Sequence, residues 1–549
     1  MPAPNAIQQV QEVPVKMVGG SNFGRYSKIS IEQTWNMIVS DDALVPYAGY
    51  KVALVVNETN KGRGIYSSFN GEIMIAVIGR NVYKISTNQV TGELSNDGVV
   101  GILETLENDV YIAENNNKQI CITDGVYAYV YNYETGVFYS SSPTLPPGAQ
   151  ALTFTFPNPG FVSFQNGRLI IASQTTQYWI LSGVNDALDW PQYNPITKAS
   201  QVGTIQTKPT TAVAAIPVPG GGNNIIVLGT NCGESWQDVG SSIFPYQRGV
   251  TFNIDYGCLN PSSISKLDNF IVWLGYNEAS GPVIMTATGS AIKRISTDGI
   301  DYVLSNLTNP SNCTGFLFRQ DGHIIYQFTF PDDNISYIYD FNTGLFFNVS
   351  NEKLDYHIAR QVVFYNNEYY FVSITGGNIY RFGTQYTDAI YNSANGFVQK
   401  EIPRIRITPP VRLPSQRYFI GKSVGFTIEN GQPNIKTLIP ANYGDLNEVL
   451  ATEEYVVITT ETGIAIGLEA TAAQTNYVVN YSEAVDLSIS IDGGETFGNS
   501  WRLNMNPTGK RRSRFIWQRL GIINDVTFQF RFSGFGRFVV FDGLLEIYT

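Results

Sequence analysis

The chain has 549 residues, with 35 Lys and Arg against 46 Asp and Glu for a net charge of −11, and 15% charged residues beside 13% aromatic ones. With 51 Gly and 26 Pro this describes a β-rich protein of many short strands and turns, and the acidic balance excludes a general nucleic-acid binder that works through overall positive charge. Two histidines and four cysteines (Cys121, Cys232, Cys258, Cys313) without Cys-x-x-Cys spacing argue against a zinc site, and no apolar run approaches the ~18 residues of a membrane helix.

Residues 1–60 read as an N-terminal arm with lead-in strands. The opening MPAPNAIQQVQEVP has no apolar core of the kind a signal peptide needs, so the chain is expected to be made and folded in a reducing cytoplasm. Such an arm is either ordered by a partner or the main body, or left disordered. LVPYAGYKVALVV (44–56) is a strand candidate leading into the next region.

Residues 61–385 repeat one unit. The stretch FVSFQNGRLIIASQTTQYWIL (161–181) is a short apolar strand, an Asn-Gly turn, a second strand, a polar break and a third strand. The same order recurs around Asn70, Asn116, Asn166, Asn223, Asp268, Asp321 and Asn366, at intervals of 45 to 57 residues. Asn-Gly reaches positive φ at little cost, which gives the primed turn that matches hairpin twist. A period of roughly 40–50 residues built from such hairpins predicts a β-propeller of six or seven blades. After the third unit, Asp186-Ala-Leu-Asp-Trp190 reads as one helical turn in a blade-connecting loop. Trp190 is there either a partner contact or a staple holding the loop on its own blade. Cys258 lies in an inter-blade crossover with no neighbouring histidine, which gives a nucleophile role no support.

Residues 386–425 read as linker or edge strands, because Pro403, Pro409, Pro410 and Pro414 cannot donate to a ladder. Residues 426–549 read as a C-terminal antiparallel β-domain with a polar insertion over 428–480. Val526, Phe528, Phe530 and Phe532 alternate with Thr527, Gln529, Arg531 and Ser533, the pattern of a half-buried strand. A lone aromatic strand of this kind is expected to need cover from a partner. Lys510, Arg511, Arg512, Arg514 and Arg519 put five positive charges within ten residues. They form either a docking patch for an acidic partner or phosphate backbone, or a solvated hairpin that keeps an edge soluble.

No catalytic constellation emerges. Two histidines leave little room for a Ser-His-Asp triad, and the 220–222 glycine run is followed by Asn223 and Asn224 rather than Gly-Lys-Ser, so it is a turn and not a phosphate loop. The stretch SISIDGGETF (488–497) resembles the Asp-box turn of sialidase propellers, itself structural, but no motif supplies the Arg cluster and Tyr–carboxylate pair a sialidase needs. Neither enzyme activity, metal nor cofactor is expected. The alternative from the enzyme class is a sialidase-like or carbohydrate-binding propeller.

Three stretches then carry a resemblance. They are Ser490-Ile-Asp-Gly-Gly494 with Phe515-Ile-Trp-Gln-Arg-Leu-Gly521, GRLIIAS from Gly167 with its following Asp186 to Trp190 loop, and the crossover from Cys258 to Gly275 with ISKLDNFIVWLG. In this order they resemble the tail-hub, or nozzle, family of short-tailed bacteriophages, typified by the packaged-DNA stabilisation protein of P22-like phages. The resemblance implies a virion tail protein assembled in the host cytoplasm. It further implies a homohexameric ring below the portal and adaptor that closes the DNA channel, retains the genome until ejection and carries needle, fibre or tailspike proteins. Double-stranded DNA would pass such a ring without tight binding, which the acidic net charge suits. A generic propeller scaffold is the third reading, and the oligomeric state separates the three.

Overall fold

The computed structural model describes residues 10–24, 31–56, 59–88, 91–194, 196, 202–220, 222–241, 244–289, 291–393, 396–415, 417–432, 484–505, 512–534 and 537–548. Within them the chain is nearly all strand, and the short α1 (Asp298–Ser305) is the one α-helix among the described residues.

Three strands that matter later precede the first repeat: β1 (Val10–Val15), β2 (Gln33–Trp35) and β3 (Gly49–Leu54). The repeats then fold as seven sheets with blade strands in antiparallel order, over 62–102, 111–151, 159–204, 212–254, 257–294, 314–349 and 359–383. The propeller therefore has seven blades. Its innermost strands follow one another round a closed ring, with Gly62–Ser67 of the first blade beside both Tyr111–Glu114 of the second and Ala359–Tyr365 of the last. Every polar residue that marks the repeat falls between the first and second strands of a blade. Asn166 and Gly167 (φ 50° and 78°) and Asp321 and Gly322 (φ 48° and 87°) occupy the left-handed region that a primed two-residue turn requires.

The ring is closed by the N-terminal part of the chain. β3, from the stretch that reads as a lead-in strand, pairs antiparallel with Ile379–Gly383 as the fourth strand of the seventh blade. Its Tyr50 is fully buried against Phe371 and Tyr380, with ring centroids 5.6 Å away in each case. His357 lies 5.4 Å from the same ring and accepts the Ala359 amide at 3.3 Å.

Beyond the seventh blade come β4 (Arg404–Ile407), β5 (Phe419–Gln432), β6 (Ala484–Ser490), β7 (Trp501–Asn504), β8 (Arg512–Ile523), β9 (Asp525–Ser533) and β10 (Arg537–Tyr548). They build a sandwich. One sheet runs β1–β10–β5–β8 and the other β2–β4–β9–β6–β7. Phe426, Phe515, Trp517, Phe528, Phe530 and Phe532 fill the space between them, Phe426 meeting Phe530 edge-on at 4.9 Å. The alternation in β9 is that of a half-buried strand, but its apolar face is covered by β5 and β8 of the same chain. This corrects the expectation that the aromatic strand needs a partner's cover: the sandwich supplies it.

Within 401–413, Arg404–Ile407 is not the linker or edge strand that the prolines suggest, whereas Val411–Arg412 is paired on one side only among the described residues. Pro403 and Pro409 fall just outside the four paired residues of β4, so the strand keeps its amide donors and lies between β2 and β9. β2 in turn pairs in parallel with Phe346–Val349 of the sixth blade, Trp35 opposite Asn348, which makes blade and sandwich sheet one ten-stranded sheet. Two buried arginines on β4 fasten the junction. Arg406 pairs with Glu32 at 2.6 Å and donates to Thr34 Oγ1 at 2.9 Å and to the Gly20 carbonyl at 3.1 Å. Arg404 pairs with Asp388 at 2.9 Å and donates to the carbonyls of Thr387 and, at 3.1 Å, Gly534. The polar insertion expected over 428–480 lies outside the described residues from 433 onward.

Two outcomes are expected. Arg404→Ala strands the Asp388 carboxylate in the interior and should cost about 3–5 kcal/mol in chemical denaturation. Burial pushes the His357 imidazole down to about 3, whereas an unfolded histidine titrates near ~6.5. The unfolded chain thus binds a proton that the native one refuses, so this contribution leaves stability intact above ~6.5 and erodes it as pH falls from there towards 3. Denaturation midpoints of His357→Leu should fall less steeply with pH across that window than those of the wild type.

Candidate assembly surface and the propeller axis

At the centre of the ring, side chains from the blades line a cavity of about 410 Å³. Where the innermost strands begin, Asp109 accepts from Ser262 Oγ at 2.5 Å and pairs with the Arg360 guanidinium, and the Tyr111 hydroxyl lies 3.3 Å from Ser262 Oγ. This ties the second, fifth and seventh blades together across the axis. Where those strands end, Phe69 of the first blade packs 5.9 Å from Phe164 of the third. Arg63 is spent on the carbonyls of Asn108, Gly79 and Thr105 at 2.6, 2.9 and 2.7 Å, and burial lowers its pKa to about 10. A cavity so small and so bridged has no passage for a DNA duplex, whose major groove alone is about 12 Å wide.

The remaining reactive groups are equally committed. Burial raises the Cys121 and Cys258 thiols to about 12, away from the thiolate a nucleophile needs. His323 sits between Asp340 Oδ2 at 2.9 Å and Ser40 Oγ at 3.2 Å. No group of three or more potential metal ligands gathers among the described residues. The Asp-box-like stretch forms a capped loop between β6 and β7: Ser490 Oγ donates to Asp492 at 2.6 Å and accepts the Gly494 amide at 2.8 Å, while Asp492 accepts the Thr496 amide at 3.0 Å. Those bonds hold the Asp492 carboxyl well below the usual range, and they make it a turn device.

The residues proposed from sequence as partner contacts separate into three groups. Lys510 and Arg511 lie outside the described residues. Arg512, Arg514 and Arg519 are exposed on β8, the outermost strand of its sheet among the described residues. Along β8, Ser513, Phe515 and Trp517 turn inward while Arg512, Arg514 and Ile516 face out, and Arg519 sits at φ 62° where the register with β5 shifts. Trp190, by contrast, is 6% exposed. Its indole N–H donates to the Ala187 carbonyl at 2.7 Å and its ring stands edge-on to Phe154 at 5.1 Å. It staples its loop to the third blade and offers no surface to a partner; the loop itself is a bridged turn, not a helical one.

Sequence reasoning missed the apolar half of the β8 surface. Ile420, Ile516, Ile522 and Leu544 are exposed on the sandwich, at 40, 38, 72 and 45%. Ile420 stands opposite Ile522, and Gly425 stands between Ile516 and Leu544, so these groups meet across three neighbouring strands. The available signal was in FIWQRLGII (515–523), where apolar residues occupy both parities of a strand that alternates elsewhere.

The described residues define an all-β scaffold: a seven-bladed propeller whose axis is narrowed to a small cavity bridged by side chains, joined to a β-sandwich bearing a basic and apolar outer face. The family model for the bacteriophage P22 Gp10 β-propeller matches residues 36–387 and that for the P22 Gp10 β-sandwich matches 454–547, and the chain belongs to this family. It is thus a structural protein of the phage tail hub. The propeller match begins ahead of β3, in keeping with the N-terminal closure. No curated protein matches the chain. Among solved structures it is similar to the computationally designed Ika8 protein (10% identity, 67% of this chain and 99% of that one, TM-score 0.34). It is also similar to the N-terminal domain of Nup159 (9%, 64% and 98%, 0.38), and to a catalytically inactive virginiamycin B lyase from Staphylococcus aureus with quinupristin (10%, 61% and 99%, 0.40).

Trp190→Ala should lower stability by about 3–5 kcal/mol through the cavity it leaves. Folded at low temperature, the variant should assemble like the wild type, as read by sedimentation.

Proposed function

We propose that copies of this chain form the ring of a short phage tail, six-fold as in the resemblance, below the portal and adaptor. The DNA channel then runs between copies and not through any one propeller. The observation that supports this reading is the bridged propeller axis, too narrow for a duplex, so that a hub traversed by DNA passes it between chains. The net charge of −11 suits a conduit that repels the DNA backbone and lets it slide. In this reading the ring retains the genome until ejection and carries needle, fibre or tailspike proteins. In this reading its work is mechanical and needs no catalysis. No observation favours the sialidase-like alternative.

The sandwich is proposed as the assembly domain, with Lys510, Arg511 and the exposed Arg512, Arg514 and Arg519 as its charged contacts. Reversing Lys510, Arg511 and Arg512 to Glu should leave the thermal transition nearly unchanged, because exposed charges contribute about 0–1 kcal/mol each. The same change should weaken attachment to tail-less capsids at physiological salt, because like charges at an interface can cost several kcal/mol. Capsids completed with the triple variant should release DNA to nuclease, and attachment equal to wild type removes the basic stretch from the assembly surface.

A further inference from the structure

The axial cavity is lined by one cation that nothing among the described residues answers. Lys266, in the short strand Ser265–Leu267 of the fifth blade, has neither an ion pair nor a hydrogen bond with a described residue. Water reaches its side chain, yet the walls desolvate the ammonium enough to lower its pKa from the ordinary lysine value, and no carboxylate offsets that effect. The other charges of the lining are committed. Arg360 pairs with Asp109, and Arg63 donates to three backbone carbonyls. Each oxygen of Glu114 already accepts a bond, from the Phe69 amide at 2.7 Å and from the Tyr133 hydroxyl at 2.6 Å. With Asp109 counted beside Arg360, three cations stand against two carboxylates, and Lys266 is the excess.

The uncharged groups of the lining lean the same way. Ser265 Oγ accepts the Leu317 amide at 2.8 Å and Gln361 Oε1 accepts the Ile65 amide at 3.2 Å. The hydroxyl hydrogen of the one and the NH₂ of the other are left without an acceptor among the described residues. What the cavity lacks is an acceptor carrying negative charge. Much of the remaining wall is apolar, with Val110, Ile112, Phe161, Phe164, Phe316 and Val362 among its residues, and about 410 Å³ falls within the ~300–1,000 Å³ of small-molecule sites.

We infer that the propeller axis is a binding site for a small monoanionic carboxylate with an apolar body, the carboxylate on Lys266 and the body among the aromatic and aliphatic side chains. The inference is independent of the hub reading, since it concerns the axis of one chain whether or not copies assemble. A monoanion is selected over a phosphate dianion because one cation is unpaired, and a second negative charge would enter the cavity without a partner. An apolar body is selected because the wall gains from covering its aromatic and aliphatic surface. The lining draws on all seven blades, so an occupant touches the closed propeller and not the unfolded chain, and it stabilises the fold by mass action.

Isothermal titration calorimetry and thermal unfolding of the full-length chain test this, with phenylacetate and hexanoate as probes. The comparisons are 2-phenylethanol, an apolar body without the charge, and inorganic phosphate, charge without the body. At least one carboxylate should bind the wild type saturably, one per chain, and raise its melting midpoint, while the alcohol and phosphate bind at least ~10-fold more weakly. Lys266→Met should lose at least ~10-fold in affinity for that carboxylate. Without ligand it should melt no lower than the wild type, because the change removes a desolvated ammonium that has no partner. A lower midpoint would mean that the chain itself pairs Lys266, and the assignment then fails. It fails equally if neither carboxylate binds saturably up to ~10 mM, if Lys266→Met binds as well as the wild type, or if the alcohol or phosphate binds as tightly as the carboxylate.

Discussion

The architecture depends on one pairing, that of β3 with the last strand of the seventh blade. Without it the seventh blade would end on the unpaired edge of Ile379–Gly383, and an open edge seeks other chains. By lending its N-terminal strand to the final blade the chain closes the ring on itself. The ring then becomes rigid enough for its axis to be bridged: Asp109, Ser262 and Arg360, from three separate blades, meet only because closure fixes their positions.

The interior charges follow the same logic. Arg63, Arg404 and Arg406 are all buried, and each is consumed by carbonyls or by one carboxylate. Buried charge of this kind orients pieces of chain relative to one another, here the N-terminal segment, the last blade and the sandwich. It does no chemistry. The exposed cations Arg512, Arg514 and Arg519 on β8 stand instead beside isoleucines. The molecule thus separates charge that holds it together from charge that is free to meet something else.

The repeat was legible because its information is local. Asn-Gly and Asp-Gly turns state their own backbone conformation, and the seven marker residues all fall at the same joint of the blade. What escaped was non-local. The 44–56 strand was visible as a strand, but its partner lies more than 300 residues away and nothing in its pattern names that partner. The prolines around 401–413 suggested a linker because their positions relative to a four-residue strand are invisible until the ladder is known. Trp190 was ambiguous since a loop tryptophan looks alike in sequence whether it faces solvent or its own blade. The basic half of the β8 surface was legible as a charge run, while its isoleucines were read as ordinary strand residues, because face assignment requires the register with β5.

One feature of the sandwich bears on synthesis. β1 pairs with β10 from Val10 opposite Tyr548 to Val15 opposite Gly543, so the sheet carrying the exposed face brings together the first and last strands among the described residues. A polypeptide still on the ribosome, or one cut short near its end, lacks β10, and without it β1 and β5 have nothing between them to pair with. The exposed face therefore depends on β10, which joins β1 to β5.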